Sequence, residues 1–474
     1  MKQPVLRAKI QAGLSFRSQP LWQEIITITA PAFIELVMST LFEMVDMMMV
    51  GGLGPAAIAA VGLTRQPFML LLAVFAAVNI GTTTLVAWNI GGKNINDACA
   101  VTRQTLVVNL LLGIIMSAVG FCSARPIVRF MGAGPDTMGM AVAYFRIVAG
   151  GLLFQAMTMG ITASLRGAGE TRIPMLYNVG SNLLNVFGNY VLIYGKLGFP
   201  QLGVAGAALS TSLSRLLACL AGLFVVYFLP QTKIKLRFKD NYRPNLALIR
   251  KIFQIGVPAA LEQFVLQSGI MMFARTVSAL GTLSFAAHQI GINISSLAFA
   301  PSMAFSVAST TLVGQSLGAG DVPRAERCAH TVHRIAVAVA CFVGCLFILF
   351  SHSLARLYTS DLVVAGMAGT ILKIFALSLP GQSTQFTLAG ALRGAGDTVF
   401  PLFASASSIW LFRVLIAYIF VHVFNWGLIG AWVAFVLDQY TRSFLIFFRF
   451  TSGKWQYVRA RVGKVDQAAN TGEN

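Results

Sequence analysis

The chain has 474 residues, 56% of them hydrophobic and only 11% charged, against roughly 25% charged in an ordinary soluble domain. That balance excludes water-soluble, secreted, coiled-coil and disordered classes, each of which needs more polar surface. The net charge of +19 does not mark a nucleic-acid binder, because Lys and Arg lie in the short segments between apolar runs instead of clustering on one face.

In chain order, a basic N-tail over 1–24 carries Lys2, Arg7, Lys9 and Arg17 and has no cleavable signal. Apolar runs follow at 25–50, 57–89, 101–121, 138–165, 173–195 and 203–229. A polar, basic stretch lies between Gln231 and Lys251. Six further runs cover 252–279, 284–317, 329–351, 363–392, 399–424 and 428–450, and a polar tail begins at Thr451. Each run is long enough for the roughly 20 residues that cross a bilayer. With the N-terminus in the cytoplasm, inside basic residues outnumber outside ones about six to one, which orients a membrane protein with an even number of spans. The domain reading is an N-tail over 1–24, an N-lobe over 25–229, a cytoplasmic linker over 230–251, a C-lobe over 252–450 and a cytoplasmic C-tail over 451–474.

Shifting the chain by 227 residues brings landmarks into coincidence without gaps. Pro31 meets Pro258 and Glu35 meets Glu262. Thr83-Thr84-Leu85-Val86 meets Thr310-Thr311-Leu312-Val313. Arg166-Gly167-Ala168-Gly169-Glu170-Thr171 meets Arg393-Gly394-Ala395-Gly396-Asp397-Thr398. Six spans per half give both halves the same orientation, a parallel repeat that suits two lobes rocking about a central cleft. The fold expected is all-α, with twelve transmembrane helices in two six-helix bundles.

Acidic residues number 16, and those inside apolar runs are the informative ones: Glu35, Glu43, Asp46, Glu262 and Asp438. An acid at mid-bilayer costs roughly 2.5–3.5 kcal/mol, so it faces a cavity or a partner. Glu35 and Asp46 share a helix face, about 16 Å apart along the axis. Asp46 reads as a coupling residue that exchanges a proton for a cation. Glu35 and Glu262, each four residues after a proline, read either as coupling groups or as structural acceptors beside a loosened turn. Asn178, Asn182, Asn185 and Asn189 form one stripe, as interhelical glue or as the wall of a wet cavity. Thr211 adds a further oxygen of the kind hard cations prefer. Glu43 and Met48 are candidates for a substrate cleft, where Met and Phe suit varied apolar cations. The six cysteines read as small buried hydrophobes. There is no phosphate loop, and neither a catalytic nucleophile motif nor a metal cluster, so no enzyme and no cofactor are expected.

Leu41-Phe42-Glu43-Met44-Val45-Asp46, leading to Val50-Gly51-Gly52-Leu53-Gly54, resembles the first helix of multidrug and toxic compound extrusion (MATE) transporters. So do the Leu-Arg-Gly-Ala-Gly-acid-Thr pair starting at Leu165 and Leu392, and Ala286-Ala287-His288-Gln289-Ile290. Tyr194-Gly195-Lys196-Leu197-Gly198-Phe199-Pro200 is similar to the NorM-type branch. The resemblance spans about 25–450. It implies export of cationic drugs against inward H⁺ or Na⁺, with Asp46 as the coupling aspartate and Asn185, Asn189 and Thr211 beside it, Na⁺ being held at Asp46 if that is the ion. Gln382, a further candidate for the substrate cleft, falls where NorM-type members carry an aspartate, and Glu262 keeps a seventh-helix acid one turn from theirs. The implied setting is a bacterial inner membrane, with lipids as surroundings and a monomer as the unit. The alternative is a lipid-linked precursor flippase, whose pyrophosphate would need Arg65, Arg146, Arg275 and Arg413.

Overall fold

The computed structural model describes residues 20–359 and 361–458. The basic residues of the N-tail and most of the C-tail lie outside the described residues. Among the described residues there is no strand. The helices are α1 (Leu21–Gly51), α2 (Pro55–Gly91), α3 (Ile95–Cys122), a short α4 (Ala124–Phe130), α5 (Pro135–Gly150), α6 (Leu152–Gly167), α7 (Arg172–Tyr194) and α8 (Gly203–Phe228). The second half holds α9 (Leu246–Ser278), α10 (Thr282–Gly318), α11 (Val322–Arg356), α12 (Leu362–Gly394), α13 (Val399–Ser408), a π-helical stretch (Ile409–Ile416), α14 (Ala417–His422) and α15 (Gly427–Thr451).

Local chemistry sets these boundaries. Pro55 and Pro135 open α2 and α5, where a missing N–H costs nothing. Asp321 accepts from the Arg324 N–H at 2.9 Å, and Asp361 from the Val363 N–H at 2.8 Å, capping α11 and α12. Gly195 ends α7 at φ 67°, in the left-handed region glycine tolerates.

Among the described residues nine helices are long and apolar enough to cross a membrane, and α5 with α6, bent by 43° at Gly151, adds a tenth. The remaining two spans are α7 and α15. They fall short because α7 carries the four asparagines, and α15 carries Asp438, Arg442 and Arg449. The protein is therefore a multi-pass membrane protein of twelve spans in two bundles. The 227-residue shift reproduces helix boundaries as well as motifs: 55 meets 282, 95 meets 322, 167 meets 394 and 172 meets 399. The copies differ at three places, one being the break between α3 and α4 where α11 is continuous. The fourth span breaks at Gly151 whereas α12 is continuous, and the eleventh widens into π-helix whereas α7 does not.

Each half buries its own core, but the first turns of α1 and α9 cross over. Ile25 and Ile28 sit fully buried in the core formed by α10, α11 and α12, while Ile252 and Ile255 sit in that formed by α2, α3 and α6. These four residues are related by the same shift. Glu24 reinforces the crossing with an ion pair to Arg324 at 2.8 Å.

At one end the halves meet backbone to backbone. Trp88 Nε1 donates to the Gly394 carbonyl at 2.7 Å and Thr84 Oγ1 to that of Arg393 at 2.9 Å. Their counterparts answer in mirror fashion: Gln315 Nε2 donates to the Gly167 carbonyl and Thr311 Oγ1 to that of Arg166, both at 2.9 Å. The Gly167 and Gly394 carbonyls are ones that the ends of α6 and α12 leave open, whereas those of Arg166 and Arg393 also accept from the Gly169 and Gly396 N–H groups. Only glycine permits the approach, since a Cβ on Gly91 would overlap the Gln315 carbonyl and one on Gly318 the Trp88 carbonyl.

Buried cysteines are only half the set. Cys99, Cys219 and Cys328 are buried, but Cys122, Cys341 and Cys345 are exposed on the outer surface of their helices. The sequence reading of all six as core residues is corrected: an apolar membrane helix has no polar face to distinguish lipid from core.

Gly91→Ala is expected to lower the detergent melting temperature through overpacking of about 1–3 kcal/mol or more. Gly366→Ala, where a Cβ meets nothing within 4 Å, is expected to leave it unchanged or raise it. Equal effects of the two would refute the close-packing account.

Candidate functional site

A cavity of about 820 Å³ lies between the two bundles. Its floor is formed by Arg166 and Arg393, whose main chains belong to the closed end described above. Its mouth carries the exposed pair Glu43–Arg65, 3.5 Å apart.

The asparagine stripe of α7 faces α1 in parallel register. Asn178 Nδ2 donates to Glu35 Oε1 at 2.7 Å, Asn182 Nδ2 to Ser39 Oγ at 3.3 Å, and Asn189 Nδ2 to Asp46 Oδ1. The spacings 4, 3 and 4 keep each amide level with its partner one helix away. Both readings of the stripe therefore hold: the amides join two helices, and Asn178, Asn182 and Asn185 also line the cavity. Asn185 Nδ2 reaches Thr211 Oγ1 at 3.3 Å and Ser210 Oγ at 3.4 Å.

Asp46, Asn185 and Thr211 stand on the cavity wall, with Asn189 fully buried behind Asp46. The other acids near the cavity are matched differently. Glu35 pairs with Arg166 at 2.9 Å. Its counterpart Glu262 pairs with Arg393 at 2.8 Å and accepts from Ser405 Oγ at 2.9 Å. Ser405 is the repeat counterpart of Asn178, so the whole three-residue arrangement recurs. Neither carboxylate is open. Asp438 is clamped from both sides, by Arg413 at 2.7 Å and Arg442 at 2.8 Å, and accepts from Ser408 Oγ at 2.7 Å. The Arg413 guanidinium also lies 4.2 Å over the Phe435 ring. Among the described residues Asp46 is the cavity-lining acid with no ion pair.

Two cleft candidates are displaced. Met48 is 71% exposed and off the lining, because two residues past Asp46 is about 200° around a helix. Met47 lines the cavity instead. Gln382 is fully buried with both amide atoms unpartnered, since α12 is packed by α10, α11 and α15 together, and the wall there is Gln385, Phe386 and Ala389. Of the arginines a pyrophosphate would need, Arg65 lines the cavity but is paired with Glu43, and Arg413 is bound to Asp438. Arg146 and Arg275 are exposed, and Arg146 lies against Phe121. The cations that do line the cavity with Arg65 are Arg166, Arg215, Arg393 and Arg442. Sequence reasoning missed their roles. The available signals were the repeat, which matches Glu35 to Glu262 and Arg166 to Arg393, and the one-turn spacing of Asp438 and Arg442.

Two repeat-related helical bundles around a cavity lined by charged, amide and apolar side chains form the architecture of a membrane transporter. The MatE family profile matches residues 31–191 and again 258–419, one copy in each half. A protein of Thermotoga maritima described as a probable multidrug resistance protein NorM is 33% identical, covering 92% of this chain and 93% of its own length. The multidrug resistance protein PmpM of Pseudomonas aeruginosa is 28% identical over 97% of this chain and 96% of its own. A solved multidrug resistance MATE family transporter, titled as outward-facing, superposes with a TM-score of 0.86 at 25% identity, over 96% of this chain and 99% of that one. This chain belongs to the MatE family of transporters.

Removing one partner of a buried ion pair strands the other. Glu262→Ala is expected to destabilise the detergent-solubilised protein by about 3–5 kcal/mol. Glu262→Ala with Arg393→Ala should recover a large part of that loss. Additive losses in thermal unfolding would show that the pair does not act as a unit.

Proposed function

We propose that the protein is a secondary active exporter of organic cations and drugs, driven by inward H⁺ or Na⁺ through alternating access. The observation that carries this reading is Asp46: a half-buried carboxylate on the cavity wall, held by one amide and, among the described residues, in no ion pair, with Arg215 within electrostatic reach. Around it Glu35, Glu43 and Glu262 are each occupied by an arginine. A cationic cargo and a coupling ion entering the same cavity therefore compete for one carboxylate. Occupation of Asp46 by H⁺ or Na⁺ removes the negative charge that holds the cargo, and release follows at the open mouth.

The donor set suits either ion. Asp46, Asn185 and Thr211 offer oxygens at the wall, and Asn189 Oδ1 behind them is buried without a hydrogen-bond partner. Hard cations take such oxygen ligands. A proton needs only the Asp46 carboxylate. Glu35 and Glu262 serve in this scheme as ion-pair anchors of α1 and α9, at the floor of the cavity. The wall also carries Phe42, Phe68, Phe145, Phe386 and Met47, apolar surface suited to flat aromatic cations. The names of the Thermotoga and Pseudomonas relatives support a drug-export reading. The excess of basic residues on alternate loops supports an orientation with the linker and both termini in the cytoplasm of a bacterial inner membrane. The N-lobe over 25–229 and C-lobe over 252–450 then rock about the cavity, each holding the first turn of the other's opening helix.

Asp46→Asn is expected to bring export of an ethidium-like dye to background while expression and melting temperature remain near wild type. Dye export at the wild-type rate by that variant would reject the assignment. Reconstituted wild-type protein under separate pH and Na⁺ gradients identifies the driving ion, and export under neither gradient would reject secondary transport.

A further inference from the structure

The linker after α8 carries groups that the transport cavity does not use. The Leu236 N–H donates to the Val226 carbonyl at 2.9 Å, so this stretch runs back along the last turn of α8. Ile234 and Leu236 are buried in the core of the first half, which turns Lys235 and Arg237 outward by the alternation of an extended chain. A β-turn follows, closed by the Asp240 N–H donating to the Arg237 carbonyl at 3.0 Å, with Phe238 and Lys239 at its two corners. The Tyr242 hydroxyl donates to the same carbonyl at 3.1 Å and meets the Tyr227 hydroxyl at 2.6 Å, so the turn is tied to α8.

Phe238 is 73% exposed, yet it is held in place. It stacks on Tyr227 with ring centroids 4.4 Å apart and planes at 11°, and lies 6.0 Å from the Phe228 ring. Phe228 in turn stacks on Phe224 at 5.5 Å, one helical turn back. Both are exposed on α8 and off the cavity lining, on surface that a spanning helix gives to lipid. Phe238 therefore continues a lipid-facing row of rings beyond the end of the span. Charge flanks it. Arg237 and Lys239 are exposed and, among the described residues, in no ion pair. The neighbouring acids are engaged elsewhere: Asp240 by Arg103 at 2.9 Å, and Glu170 by the Lys233 N–H at 2.8 Å, with Lys233 and Lys235 in its field. In the second half the aromatic that follows the last span, Trp455, is fully buried against Phe450, so the exposed row belongs to the first half.

We propose that the turn over 237–240 is a binding site for the headgroup of an anionic phospholipid of the surrounding bilayer, with the Phe238 ring among the upper acyl carbons and Arg237 and Lys239 on the phosphate. A ring at that depth is where membrane aromatics settle, and bases beside it gain from a negatively charged leaflet surface. A guanidinium also matches phosphate oxygens in pairs. Because Ile234 and Leu236 fix the segment in the first half, the lipid is held by that half, at the start of the chain that leads to the other. The inference does not depend on what the cavity exports.

The test titrates purified full-length protein in detergent with phosphatidylglycerol and, separately, with phosphatidylcholine of the same acyl chains, following bound lipid by native mass spectrometry and the melting temperature. Phosphatidylglycerol is expected to bind about tenfold more tightly or better and to raise the melting temperature. Equal binding of the two lipids overturns the site. Arg237→Gln with Lys239→Gln should lower phosphatidylglycerol affinity by about tenfold or more and leave that for phosphatidylcholine unchanged. Lys93→Gln with Arg334→Gln removes the same charge from exposed positions elsewhere and should change neither. A loss there equal to that of the linker variant would show a general attraction to basic surface and overturn the site. Phe238→Ser keeps every charge and should weaken phosphatidylglycerol binding severalfold. No change in that variant, or the same rise in melting temperature with inorganic phosphate alone, overturns a lipid site. The comparison of the two lipids on wild-type protein decides the matter if a linker variant fails to fold.

Discussion

A charge inside a bilayer must be neutralised or hydrated, and most of this architecture is arranged around that constraint. Glu35 is met by Arg166, Glu262 by Arg393, and Asp438 by two arginines at once. The Glu35–Arg166 and Glu262–Arg393 pairs tie together helices far apart in sequence, whereas Asp438 and Arg442 lie one turn apart on α15. Against this background of matched charge Asp46 and Arg215 stand out, both on the cavity wall and, among the described residues, in no ion pair, though each lies in the electrostatic field of the other. Unmatched charge next to water-accessible space is where a ligand gains most, because binding supplies what folding left out.

The same constraint explains the conserved geometry of the closed end. Arg166 and Arg393 face the cavity with their side chains, while their carbonyls accept hydroxyl hydrogen bonds from the opposite half. Each residue therefore couples the charge state of the floor to the packing of the two bundles. Parting the halves at this end breaks four side-chain hydrogen bonds and separates glycine-lined backbones, while the Glu35–Arg166 and Glu262–Arg393 pairs lie within their own halves. The Glu24–Arg324 pair and the buried first turns of α1 and α9 also hold the halves together.

Much of the fold was legible because membrane helices announce themselves by length and hydropathy, and because the halves still share a register. The two spans hardest to recognise on apolarity alone, α7 and α15, are those whose polar residues do the pairing. The site was legible in part. Asp46 and the asparagine stripe stood out as polar groups at helical spacing, and the structure brings them together. Met48 did not belong there, because composition does not say which face of a uniformly apolar helix meets lipid. The functions of Glu35 and Glu262 were undecided in the sequence because a buried acid looks the same whether or not an arginine from another helix arrives beside it. Applying the repeat to the arginines as well as the acids carries that information.

The crossing of the first turns bears on how such a chain arose. Ile25 and Ile28 complete the core of the second half, and Ile252 and Ile255 that of the first. A single half, on its own, lacks a piece of its interior and displays one that fits its twin. Two copies of such a unit complete their interiors only by exchanging those first turns, and the linker keeps that exchange within one chain.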